Sequence, residues 1–301
     1  MGPSETPSVL VVGEAITAFM HYPGDEDLFF HGPLPSGAPA IFASAAARLG
    51  LRVDLAAGVG DDAFGRQLSD RLVQHGVSTD LLTVDRSRPT ATTFVTYHDD
   101  GSRDFVFYVE ATAAQSVTPA SLERLGGRPD WLHISGSALA FGGDTAETAW
   151  RAVERAREWG TPMSLDPNVR KEVLHGDFRE RFDALLDGAS VVIASEGELE
   201  ALGVADSSVT GRGSVLVRKN GAAGAVVTTS SVSAAVPAPQ VSEVDPDGAG
   251  DIFAAGFVAA TLLGHPPEHA AHAGCVVAAE SVQVRGPMES DVAHVSTYLE
   301  R

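Results

Sequence analysis

The chain holds a single cysteine, Cys275, and only two lysines, Lys171 and Lys219, among 301 residues. One thiol excludes any internal disulfide framework. The scarcity of lysine removes the polybasic patch that an anionic membrane surface attracts. Lys and Arg together number 21 against 40 Asp and Glu, and the resulting formal charge of −19 repels a phosphate-rich polymer. No apolar run approaches the roughly 20 residues that span a bilayer. Internal repeats and low-complexity tracts are also missing, as are the Walker Gly-Lys-Ser/Thr loop and the Gly-x-Gly-x-x-Gly fingerprint. These absences argue against nucleic acid, membrane, P-loop ATPase and dinucleotide dehydrogenase readings, and leave small ligands as the natural target. Residues 1–8 are polar, carry two prolines and lack a basic stretch followed by an apolar one. They read as a disordered leader on a cytoplasmic protein.

What is present has a globular balance, with 44% hydrophobic and 20% charged positions, and this argues against disorder. From Val9 onward, short β-branched runs alternate with longer Ala-rich helical periods, the pattern of a parallel sheet covered by helices. Strands are expected at 9–12, 51–56, 131–134, 162–165, 191–194 and 215–217, and helices at 38–49, 63–75, 145–159, 196–202 and 249–263. The implied fold is a single α/β domain over 9–301, built on one doubly wound, mainly parallel sheet. Residues 92–98 and 104–109 instead alternate in period two around Asp99-Asp100-Gly101-Ser102, a good hairpin turn. With 15–20 and 28–31, they are expected to form a small β lid from segments 15–32 and 90–112, over the carboxyl edge where such sheets bind ligands. An ordinary surface hairpin is the plainer alternative.

The most informative stretch is Val244-Asp245-Pro246-Asp247-Gly248-Ala249-Gly250-Asp251-Ile252-Phe253, which runs into an apolar helical segment. Gly248 and Gly250 let backbone approach a ligand closely, and the first amides of the following helix point free N–H groups outward. That combination makes an anion site. Asp251 falls in the first turn beside those amides, an arrangement suited to phosphoryl transfer. The plainer reading is that Asp251 only caps the helix and the glycines only make a tight turn.

The surrounding sequence resembles the ribokinase-like (PfkB) carbohydrate kinases. Gly248-Ala249-Gly250-Asp251, preceded by Asp245, is similar to their signature, and Ser36-Gly37-Ala38-Pro39-Ala40 with Gly58-Val59-Gly60-Asp61-Asp62-Ala63-Phe64-Gly65 to their first one. Gly13-Glu14, His133-Ile134-Ser135-Gly136, Leu165-Asp166-Pro167-Asn168-Val169-Arg170, Ser195-Glu196-Gly197-Glu198 and Lys219-Asn220-Gly221-Ala222-Ala223-Gly224 follow the family order. The nearest subgroup looks like the 2-keto-3-deoxygluconate kinases and fructokinase-like sugar kinases.

The resemblance implies an ATP-dependent kinase that phosphorylates a hydroxyl of a small sugar, of ketohexose or 2-keto-3-deoxy sugar acid type. Asp251 would be the general base, and the amides of Gly248, Ala249 and Gly250 the anion hole. Glu198 would act on Mg²⁺ through water, and Ser195, Lys219, Gly221 and Gly224 would help hold the nucleotide. Gly37 and Arg170 match sugar-binding positions. A monovalent cation is left open, and homodimerisation through the lid is expected, as relatives often do.

Several positions depart from the family pattern. Ala18 stands where many members carry Asp, and Ile41 where many carry Asn, so two polar sugar anchors are missing. Glu110 stands near a common Arg at the end of the lid hairpin, which favours neutral hydroxyls or an amine over a sugar carboxylate. Ser195 replaces a frequent Asn, and Asp247 a frequent Thr. A nucleoside or amino-sugar kinase of the same family, and a non-catalytic sugar-binding protein on the same fold, are the alternatives. His265, His269 and His272 are spaced as one polar helix face or, less simply, a metal site. Cys275 sits among small apolar residues as a core position.

Overall fold

Along the first strand Val9 and Val11 face one side, Leu10 and Val12 the other, and all four are buried. A strand apolar on both faces belongs at the centre of a sheet covered twice, and this one lies between two parallel neighbours. The computed structural model describes residues 6–27, 29–169 and 178–296. In chain order, β1 (Ser8–Val12) leads into an excursion of β2 (Ile16–His21) and β3 (His31–Ser36), and α1 (Ala38–Arg48) returns the chain to β4 (Arg52–Ala56). The elements β5 (Gly58–Gly60), α2 (Ala63–Gln74) and β6 (Thr83–Asp85) precede the second excursion, the hairpin of β7 (Thr92–Tyr97) and β8 (Arg103–Tyr108). Next come β9 (Trp131–Ser135), α3 (Gly136–Ala140), α4 (Gly143–Trp159), β10 (Met163–Asp166) and α5 (Phe178–Leu186). The chain continues through β11 (Val191–Ser195), α6 (Glu198–Ala201), α7 (Asp206–Thr210), β12 (Val215–Lys219), β13 (Ala225–Thr228) and β14 (Ser233–Val236). It closes with α8 (Ala249–Leu262) and α9 (Pro267–Ser281).

The large sheet has eight strands in the order β14-β13-β12-β11-β10-β9-β1-β4. From β4 to β12 every pairing is parallel, and β13 and β14 join antiparallel at the end. One core packs Val9, Val11, Ile193 and Val217 against α1, α8 and α9. The other packs Leu10, Val12, Val192 and Leu216 against α4 and α5. Period-two alternation therefore divides each central strand between two helical layers. Helices α8 and α9 approach closely because glycines face each other: a Cβ on Gly256 would lie 3.1 Å from the Gly274 Cα.

The expected parallel strands and lid hairpin are present, shifted by a residue or two at their ends. The first strand starts at Ser8, whose N–H and hydroxyl both donate to Asp130 Oδ2 at 2.8 Å. The second lid segment, expected as a strand over 28–31, forms its strand instead at His31–Ser36, and Leu28 lies outside the described residues. The helix expected over 196–202 spans only Glu198–Ala201, because Gly197 takes a left-handed φ of 80° just before it. The antiparallel strands β13 and β14, and helix α5, carry no expectation from the sequence. The lid is a separate four-stranded sheet, β3-β2-β7-β8, with β2 and β7 parallel and the outer pairs antiparallel.

Candidate active site

Parallel strands β10, β11 and β12 end side by side on Asp166, Ser195 and Lys219, with Ser195 in register with Lys219. This carboxyl edge is where open α/β sheets bind ligands. Helix α8 starts over it. Its N-cap Gly248 has φ 74°, a conformation that favours glycine. Space reinforces the choice, since a Cβ there would lie 2.7 Å from Pro287 Cβ and 3.1 Å from Ile41 Cγ2. The helix thus opens with unshielded backbone, and its first N–H groups have no intrahelical acceptor. The Ala249 N–H makes a long 3.3 Å bond to the Pro246 carbonyl.

Asp251 lies in that first turn and is 8% exposed. Its Oδ1 accepts a 3.2 Å hydrogen bond from Asn168 Nδ2. Asn168 has a left-handed φ of 41°, a conformation Asn tolerates. Its own N–H donates to Asp166 Oδ1 at 3.0 Å. Lys219 Nζ donates to Asp166 Oδ2 at 2.6 Å, and a Cβ on Gly250 would lie 3.1 Å from the same Nζ. One ammonium is thereby held against the opening turn of α8. Burial pulls the Lys219 pKa down, but Asp166 and then Glu198 outweigh it, so the net shift is upward and the side chain stays cationic.

Glu198, at the start of α6, accepts from the Ser195 N–H at 2.7 Å and the Val169 N–H at 3.1 Å, one on each oxygen. Burial and then the Asp166 charge hold its carboxyl above the usual range, against the opposing pull of Lys219. Beside this network runs a cleft of about 570 Å³, whose lining includes Ser195, Lys219, Gly221 and Gly250 together with the apolar Val241, Cys275 and Ala279. Gly224 also lines it, and a Cβ there would lie 2.1 Å from the Val236 carbonyl oxygen, so glycine is what lets β12 and β13 turn against this wall. Among the described residues no cluster of three or more His, Cys, Asp or Glu could hold a metal by itself. His265 precedes α9 and does not share its helical face with His269 and His272.

The residues expected at the acceptor are less uniform. Gly37 has φ 106°, a Cβ on it would lie 2.7 Å from the Glu14 carbonyl oxygen, and Ile41 caps onto its carbonyl at 2.7 Å. Ile41 borders Gly248, and Ala18 is fully buried in the lid with Met20, Tyr22, Val95 and Tyr97. Glu110 is exposed beyond β8, next to Ala111 at φ 56°, and Arg170 lies outside the described residues. Asp247 faces the lid, where Arg103 of β8 stands 3.6 Å from its Oδ1. Two further groups carry no role in the sequence reading, the Asp166–Asn168 pair, present there only within a family-order block, and the lid tyrosines Tyr22 and Tyr97. An Asp-x-Asn at the end of a buried strand was a usable signal for the first; tertiary contacts alone reveal the second.

A large, mainly parallel sheet flanked by helices, a small lid sheet and a glycine-headed helix over the carboxyl edge define the ribokinase-like class of fold. The sequence pattern of the pfkB family carbohydrate kinases matches residues 9–293, and the chain belongs to that family of carbohydrate kinases. Among its relatives, a fructokinase of Vibrio alginolyticus is 33% identical over 236 residues, covering 75% of this chain and 76% of its own. A 2-dehydro-3-deoxygluconokinase of Thermoproteus tenax is 32% identical over 268 residues, covering 85% and 81%. The crystal structure of a fructokinase from Vibrio cholerae, in a form with fructose, ADP and calcium ion bound, superposes with a TM-score of 0.85 at 26% identity, over 98% of this chain and 99% of that one.

Proposed function

We propose that this carbohydrate kinase transfers the γ-phosphoryl group of MgATP to a hydroxyl of a small sugar, a ketohexose or a 2-keto-3-deoxy sugar acid. The observation that carries the reading is Asp251, a carboxylate 8% exposed beside the unshielded amides of α8 and within the same network as the Lys219 ammonium. Asp251 is the general base, and Asn168 holds its carboxylate toward the acceptor. The amides of Gly248 and Gly250, with Lys219 beside them, meet the charge on the transferred group. That of Ala249 joins them once it leaves Pro246.

The 570 Å³ cleft takes the nucleotide, with its base against the apolar lining residues Val241, Cys275 and Ala279. Mg²⁺ retains several waters and binds through few protein carboxylates plus phosphates. Glu198, with each oxygen already fixed by a backbone amide, fits water-mediated contact better than direct ligation. When bound, the metal neutralises phosphate charge. The lid excludes water, which would otherwise compete as acceptor.

The outer lid face supports a homodimer: Phe19, Phe30 and Phe94 pack there as rings, with Val106 and Tyr108 exposed beyond them. A second reading, a kinase for nucleosides or amino sugars, rests on Glu110, an exposed carboxylate beyond β8 that would pair with an amine and repel a sugar carboxylate. The test is ADP release with MgATP across 2-keto-3-deoxygluconate, fructose, tagatose, ribose, inositols, amino sugars and nucleosides, beside Asp251→Asn. One strong, Asp251-dependent acceptor from the first two classes supports the reading; a nucleoside or amino-sugar preference replaces it with the second.

A further inference from the structure

The lid is fastened to the loop in front of α8 through one buried carboxylate. Asp245 is 2% exposed and accepts four hydrogen bonds. Oδ2 receives the Tyr22 hydroxyl at 2.6 Å and the Gly286 N–H at 2.9 Å. Oδ1 receives the Tyr97 hydroxyl at 2.8 Å and the Asp247 N–H at 3.0 Å. Both tyrosines come from the lid: Tyr22 directly follows β2, and Tyr97 ends β7. Their rings stack 5.1 Å apart at 18°, and the Arg285 guanidinium sits 4.6 Å from the Tyr22 ring centre. A third lid residue, Arg103 of β8, reaches Asp247 at 3.6 Å. Burial, then the neighbouring carboxylates, hold both phenols far above their ordinary range, so they remain donors.

A buried carboxylate that loses half of its donors is costly, because each bond to a charged acceptor is stronger than a neutral one and its loss leaves an unsatisfied charge. Two of the four donors on Asp245 are lid hydroxyls, and two are backbone amides, one of them within the loop itself. Lid position and loop shape are thereby linked through the same atoms. Asp245 is three residues from Gly248, whose left-handed turn sets the direction of the first α8 amides.

We propose that Tyr22 and Tyr97 are positioning residues that couple closure of the lid to the shape of the 245–250 loop, so that the amides heading α8 converge on the phosphoryl group only when the lid is shut. The idea rests on the kinase reading above, and it goes beyond it by assigning a residue pair through which lid and anion site communicate. It accounts for why two phenols of the lid converge on this one carboxylate. Its consequence for chemistry is that transfer to water is suppressed while the lid is open, because the anion site is then incomplete.

The test is hydrogen exchange on Tyr22→Phe/Tyr97→Phe, which keeps both rings and removes only the hydroxyls. Amides of the 92–108 hairpin and of the 245–250 loop should both exchange at least about 10-fold faster than in the wild type, from the loss of two bonds to a charged group. The single variants Tyr22→Phe and Tyr97→Phe, each keeping one bond, should fall between, and they decide the matter if the double variant does not fold. Unchanged exchange in both segments overturns the proposal, and so does faster exchange in the hairpin with the loop unmoved. Exchange needs no turnover, so it stands or falls separately from the kinase reading. With an acceptor in hand, the double variant should also raise ADP release without acceptor relative to release with it, and an unchanged ratio argues against the coupling.

Discussion

Asp251 and Glu198 are both carboxylates near one ammonium, and their surroundings divide the work between them. Each Glu198 oxygen is engaged by a backbone amide, whereas Asp251 lies in the first turn of α8 with its Oδ1 accepting from the Asn168 side-chain amide. That difference supports the proposed assignment of Asp251 as the base. Replacing it with Asn keeps the size and the bond partner, so kcat should fall by roughly 10²-fold to 10⁴-fold with nucleotide binding retained; turnover near wild type would remove the assignment. A second residue-scale prediction concerns two histidines. His133 is fully buried, stacked on Phe42 at 3.7 Å and bonded to Ser164 Oγ, and burial pushes its pKa down to about 3. Burial, then Arg48 and Arg71, bring His75 down to about 4. Between these values and the ordinary 6.5, the unfolded chain binds protons that the folded chain refuses, so stability rises with pH. It is complete above the ordinary histidine range and is lost as pH falls through it. The urea midpoint should therefore drop between pH 7 and pH 5, above the carboxylate range, and His133→Gln should flatten that slope; an unaltered slope would show that His133 does not carry it.

At the scale of elements, the helix pair α8–α9 illustrates how small residues set a packing distance. A Cβ on Gly274 would lie 2.8 Å from the Phe253 carbonyl oxygen and 2.9 Å from its ring. Backbone cannot give way cheaply, so Gly274→Ala should destabilise the protein by about 1–3 kcal/mol, read from urea unfolding, and wild-type stability would mean that the helices part without cost. The same Ala and Gly richness made α8 legible in the sequence, because a run apolar all round marks a buried helix. Central strands were legible for the parallel reason, Val9 through Val12 being apolar on both faces. Strands β13 and β14 were not: AVVT and SAAV are short, small and partly polar, and they become strands through antiparallel pairing, β13 on β12 and β14 on β13. The glycine loop and Asp251 could be read directly, since local backbone freedom and helix-end chemistry are local properties. Asp166 stood just past the expected strand, in a block matching the family order, and its tie to Lys219, 53 positions away, exists only in three dimensions. Tyr22 and Tyr97 lie further still from Asp245 in sequence, which is why the lid contact left no trace in spacing.

At the scale of the whole molecule, two long-range features oppose each other. The net charge of −19 makes any two copies repel. The outer lid face attracts: Val106 and Tyr108 are 52% and 60% exposed, on a sheet whose edge strands β3 and β8 offer unpaired backbone. Burying that face removes apolar area from water, an effect that salt does not weaken, while salt screens the repulsion, over roughly 10 Å at 0.1 M ionic strength. Dimerisation of the 31.3 kDa chain should therefore tighten as ionic strength rises, the reverse of what charge-paired association would give. Light scattering across a salt series reads this directly. Val106→Glu, placing a further negative charge on the face, should yield monomer at every salt concentration with the thermal midpoint of the large domain unchanged. A monomeric wild type at high protein and high salt would end the lid-dimer proposal, and a dimer that persists in Val106→Glu would move the contact to another surface.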